Sequence, residues 1–202
     1  MMSKSNVLAG IAAASLAVLF PIYWIYAFGA IFSTNSAELI ADDFLTLNGW
    51  DALFVIIGLL EIIVYIGLYK LCREQLNGGL SAILLLIMAA VIAVFHSTVI
   101  IDILLASGMV TSNSEAWMSW GVVISLSLLF FYAVVAFILA VAFLTRLSEL
   151  SNIMKAFAFG LLVMCILQLT VVFAAANIVL FPILMALVAI QFFRNDHSVE
   201  IV

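Results

Sequence analysis

The residue that most invites chemistry is Glu61, the single charge within the apolar stretch from Ala52 to Tyr69. If that stretch crosses a bilayer, an acid at its centre costs about 2.5 kcal/mol or more on insertion. The carboxyl must then be neutralised by protonation, by a partner or by water, and it is expected to face the interior of a helix bundle. Tyr65 and Tyr69 follow one and two helical turns later, so Glu61 heads a polar stripe directed towards Lys70. His96 is the nearest candidate partner. It lies slightly off-centre in the next apolar run, Leu80 to Ala106, and the short connection at Asn77-Gly78-Gly79 lets the two runs pack antiparallel. A buried acid and imidazole in contact would share a proton and titrate as a pair. Two readings stand side by side: a site for a proton or cation, or a neutral acid and a satisfied histidine that only fix helix packing.

Asp102 lies farther along the same run, about 120° round the helix from His96, and is expected to reach water near the membrane boundary. Gln168 falls mid-run in a later stretch and Asn177 stands near Pro182; amides in such places usually join helices, and substrate contact is the alternative. The segment Pro21-Ile22-Tyr23-Trp24-Ile25-Tyr26 combines a helix kink with interfacial aromatics, which fits a lipid anchor or a cavity opened by the kink. Glu61, His96, Tyr65, Asp102 and Gln168 are therefore the candidate proton, ion or substrate site. No catalytic residue is singled out. There is no mid-run lysine for a Schiff base, no GxSG segment, no HExxH and no phosphate-binding glycine loop. His197 lies in the C-terminal tail and leaves His96 without a second haem ligand, while Cys72 and Cys165 do not suggest a disulfide. No metal or cofactor is implied, and enzyme is the less favoured class.

Composition dictates the elements that must position these residues. With 68% hydrophobic and only 8% charged residues, and a mean hydropathy of +1.41, the chain has too little polar surface to coat a water-soluble globule. A net charge of −5 argues against nucleic acid as a partner. The charges fall between apolar runs, which predicts an all-α polytopic transmembrane bundle of six spans: about 7–32, 52–69, 80–106, 117–144, 156–174 and 177–193. The first run exceeds the apolar stretch of a signal peptide and is taken as retained. The last apolar stretch, 156–193, would measure roughly 57 Å as one helix, nearly twice the hydrocarbon thickness, so a turn is placed at Ala174 to Asn177. With both termini cytoplasmic, all six basic residues (Lys4, Lys70, Arg73, Arg146, Lys155, Arg194) lie inside, and the outer loops carry only acids. This arrangement points to the inner membrane of a bacterium.

In the first outer loop, Asn35 precedes Glu38 by the spacing of a capping box, and Ile40, Phe44 and Leu47 recur on one face opposite Asp42 and Asp43. A short amphipathic helix lying on the outer surface is expected there, with an acidic vestibule that concentrates cations as its functional reading. The exits Lys70-Leu71-Cys72-Arg73 and Arg146-Leu147-Ser148-Glu149 are alike, as two similar hairpins or ordinary basic inner loops would be.

Gly58-Leu59-Leu60-Glu61 leading to Gly67-Leu68-Tyr69-Lys70, the second hairpin through Arg146, and Leu180-Phe181-Pro182-Ile183-Leu184 resemble a group of bacterial six-helix membrane proteins known only as a domain of unknown function. The resemblance runs from the second span to the C-terminus and implies a fold without an activity. Three functional readings are carried forward: proton- or cation-linked passage of a small solute through Glu61 and His96, a structural or assembly subunit of a membrane complex, and a lipid-binding membrane protein. Lipid is the common partner, with other membrane subunits or a second copy of the chain as further ones.

Overall fold

A computed structural model describes residues 4–75, 79–170 and 173–194. They form eight helices: α1 (Lys4–Ile31), α2 (Ser36–Leu45), α3 (Gly49–Gln75), α4 (Gly79–His96), α5 (Val99–Ala106), α6 (Ser114–Leu144), α7 (Asn152–Leu169) and α8 (Asn177–Phe193). Short 3₁₀ turns occupy Leu147–Glu149 and Ala174–Ala176, and no strand occurs among the described residues. Six helices, with α4 and α5 counted as one, are long and apolar enough to cross a membrane. The chain is a multi-pass membrane protein.

The spans form a closed ring in chain order. Each packs on the next, α1 on α3, α3 on α4, α4 on α6, α6 on α7 and α7 on α8, and α8 returns to α1. Successive spans alternate in direction, which gathers Lys4, Lys70, Arg73, Arg146, Lys155 and Arg194 at one end of the bundle, here the basic end. The other, acidic end carries α2, with Asp51 and Glu115 in the first turns of α3 and α6. Because lipid is as apolar as the helices, the ring is held by close packing and not by apolar burial. Ala9, Ala12 and Ala13 supply the small face of α1, and a Cβ added at Gly67 of α3 would stand 2.6 Å from that of Ala9. Towards the basic end the interior is tightly filled by Leu16, Val64, Leu68, Leu85, Leu139, Phe143, Leu184 and Val188, leaving a void of only about 10 Å³ beside Leu68 and Leu85. Large apolar side chains such as Ile11, Val18, Leu126, Phe130 and Phe131 face outwards, as lipid-facing positions do.

Several expected boundaries move. The second span is longer than 52–69, starting at Gly49 and running to Gln75. The third is not continuous, because Ser97 and Thr98 interrupt it. Their hydroxyls donate to the carbonyls of Val94 and Phe95, both at 2.7 Å, and the backbone passes through i−3 bonds before α5 resumes. The long C-terminal stretch does divide, but α7 stops at Leu169, earlier than the turn at Ala174 to Asn177. In the first loop α2 starts after Asn35, yet the Asn35 side chain makes no capping bond, and α2 ends at Leu45 so that Leu47 lies beyond it. The Asn77-Gly78 connection and the tail from Asn195, with His197, lie outside the described residues.

Candidate functional site

Each span contributes two or three side chains, one helical turn apart, to a central cavity of about 70 Å³ in the half of the ring nearer the acidic end. From α3 come Phe54, Ile57 and Glu61; from α4, Ile92, Phe95 and His96; from α6, Leu129, Tyr132 and Ala133. Met164, Cys165 and Gln168 of α7, Asn177 and Phe181 of α8, and Phe20, Tyr23 and Trp24 of α1 complete it. The α1 residues flank Pro21, so the aromatic run of the first span turns a face to this cavity. The lining is mostly apolar and aromatic, and its polar groups are few.

Glu61 is 4% exposed, and no hydrogen bond or ion pair joins it to another described residue. Its environment is set by local sequence. Gly58, one turn earlier on the same face, removes the side chain that would collide with the His96 imidazole, so the ring of His96 lies against the α3 backbone. That ring packs on Phe54, with centroids 4.1 Å apart, and edge-on to Phe95 at 5.1 Å. His96 is 8% exposed and its Nδ1 has no hydrogen-bond partner within the described residues. Glu61 and His96 therefore share one cavity without bonding to each other.

Asn177 behaves as an amide joining helices is expected to, and leaves one atom over. Its Nδ2 donates to the carbonyl of Met164 at 3.2 Å and to Gln168 Oε1 at 2.9 Å, fastening α8 to α7. Its Oδ1 is buried without a partner. Tyr65 does not reach the cavity surface. Its hydroxyl bonds to that of Tyr132, which lies on the cavity wall, and beyond this pair the interior closes into the packed core.

Asp102 belongs to a second cavity of about 160 Å³ nearer the acidic end, shared with Asp43, Asp51 and Thr98. Tyr23, Trp24, Phe54 and Phe95 line both cavities and form the partition between them. Tyr26 donates to Asp43 Oδ1 at 3.1 Å and stacks on Trp50 with centroids 4.1 Å apart, which ties α2 and the start of α3 to α1 above the second cavity. Among the described residues, no cluster of three or more His, Cys, Asp or Glu side chains is placed to hold a metal ion.

Of the candidates read from sequence, the structure brings Glu61, His96 and Gln168 to one cavity, sets Tyr65 behind its wall, and puts Asp102 across the aromatic partition. Sequence reasoning missed Tyr132, whose signal was its standing as the single tyrosine in its span, and the part played by Asn177 within the cavity. No protein-family description matches the chain, and no curated protein or solved structure matches it either. The class that fold and site define is a six-helix membrane ring around an acid-bearing aromatic cavity.

Proposed function

We propose that this chain mediates proton-linked passage of a small solute across a bacterial inner membrane, with Glu61 as the group that takes up and releases the proton. The observation that carries the reading is a carboxyl group buried without a hydrogen-bond partner in a cavity to which all six spans contribute. A packing role alone needs a neighbour for that acid to bond, and the described residues offer none. The surroundings support a route. Asp43, Asp51 and Asp102 gather beyond the aromatic partition, where acidic side chains raise the local concentration of cations. The packed core beyond Tyr65 and Tyr132 closes the other direction, as one state of an alternating-access cycle requires. In this reading the basic end and both termini face the cytoplasm, and a cavity of about 70 Å³ suits a small solute.

The test uses purified protein in proteoliposomes with an imposed pH gradient and a panel of alkali cations, guanidinium and small neutral solutes. The wild type is expected to move one of them in a pH-dependent way. Glu61→Gln, which keeps shape and hydrogen-bonding capacity, is expected to remain folded and lose that flux. If Glu61→Gln is silent in every flux while Glu61→Leu destabilises the protein, the assembly-subunit reading replaces this one.

A further inference from the structure

The unpartnered polar atoms around the central cavity define what it accepts. Asn177 Oδ1 is an acceptor by assignment, since Nδ2 is committed to Met164 and Gln168. The Glu61 carboxyl has no hydrogen bond to a described residue and can accept, and His96 Nδ1, 92% buried with its residue, offers a lone pair in the tautomer that carries its proton on Nε2. No lysine or arginine lines the cavity, and all six basic residues lie at the opposite end of the ring, so an anion would meet nothing to neutralise it. The walls are aromatic: Phe20, Tyr23, Trp24, Phe54, Phe95 and Phe181. Ring faces attract cations, most strongly when water is excluded. A hard divalent ion such as Ca²⁺ or Mg²⁺ takes about six oxygens, and of those on the cavity wall the Tyr132 hydroxyl is bonded to Tyr65 and Gln168 Oε1 already accepts from Asn177. An ammonium group needs only a few acceptors for its N–H donors, and the remaining surface can be aromatic.

We propose that the central cavity binds a small primary ammonium ion, of the size of ammonium or methylammonium, in exchange for the proton of Glu61. This assignment rests on the passage reading above and names its solute class. The exchange balances: the Glu61 carboxylic acid releases H⁺ as R–NH₃⁺ enters, leaving a carboxylate paired with an ammonium. The cavity is neutral before and after, which avoids burying a net charge in the bilayer. The ammonium donates to Glu61 and to Asn177 Oδ1, its remaining surface lies against the rings, and one proton leaves for each cation that binds.

Because neutral amines cross bilayers unaided, the test is binding and not flux. Radiolabelled methylammonium is titrated into the full chain in mild detergent, with calorimetry in two buffers of different ionisation enthalpy to count protons. Saturable binding is expected, with close to one proton released per cation and at least tenfold weakening in Glu61→Gln. Ala133→Val, which leaves every polar group in place but fills part of the cavity, is expected to weaken binding as strongly and keeps the test decisive if Glu61→Gln fails to fold. Tetramethylammonium, too bulky for the cavity, should not compete. No saturable binding, or binding that neither substitution changes, overturns the assignment. If binding fails while Glu61-dependent flux of another solute persists in proteoliposomes, the solute class falls and the passage reading survives. If methylammonium binds as expected and no solute is ever moved, the ammonium site stands and passage falls.

Discussion

Gly58→Ala probes the contact on which the cavity wall depends. The added methyl would sit 2.5 Å from His96 Cδ2 and 2.7 Å from His96 Cβ, where ordinary contact begins at 3.4 Å. The imidazole has little room to retreat, being 8% exposed and held between Phe54 and Phe95. Over-packing of this kind costs about 1–3 kcal/mol, and the better helix propensity of alanine returns up to about 1 kcal/mol. A net loss of about 1–2 kcal/mol lowers the melting temperature by roughly 2–8 °C in a chain of this length. A thiol-reactive dye reports the transition, because Cys72 and Cys165 are both buried until the bundle opens. Gly49→Ala, with nothing within 4 Å, is the control and should be neutral or stabilising. In the background of His96→Gly, which removes the Cβ as well as the ring, the clash disappears, so Gly58→Ala should become neutral, with a coupling of at least about 1 kcal/mol between the two positions. A Gly58→Ala protein as stable as the wild type, or effects that simply add, would refute this account of the wall.

At the basic end, Ser151 accepts from the Met154 amide at 3.2 Å as the cap of α7 and donates to Gln191 Oε1 at 2.7 Å; Ser151→Ala should therefore cost about 1–3 kcal/mol, read as a loss of melting temperature, while Ser148→Ala on the neighbouring turn changes little. In a background lacking Cys72 and Cys165, Asp43→Cys and Asn113→Cys should react with an impermeant thiol reagent from outside intact cells, and Lys155→Cys only after permeabilisation; labelling of Lys155→Cys from outside would invert the bundle.

Sequence carried the spans because charges interrupt apolar runs so cleanly that six crossings are the simplest count, and the helices bear this out. Glu61 was legible for the same reason: an acid within apolar sequence is costly wherever the helix is placed. The break at Ser97-Thr98 was written in two adjacent hydroxyl residues, but such residues also sit in unbroken membrane helices, so their back-bonding is visible only in the structure. Closure of α8 on α1 and the pairing of Tyr65 with Tyr132 had no local signal. Contacts between membrane helices are made by small residues such as Ala9 and Gly67, whose types recur on faces that meet only lipid. The cavity was hidden for a related reason. No span supplies more than three of its residues, and it exists only once all six are arranged around it. Asn35 shows the converse, a capping signal whose residue stands at the right position and makes no capping bond.

The central claim is that Glu61 couples a proton to the passage of a solute. The most direct measurement gives a solute gradient as the only driving force and follows the internal pH of proteoliposomes with a trapped dye, using guanidinium or whichever membrane-impermeant member of the panel proves to be carried. Wild-type vesicles are predicted to change internal pH as the solute moves, and Glu61→Gln vesicles, folded and inserted to the same extent, to show neither movement. Solute passing at equal rates through both proteins with no change in pH would contradict the account.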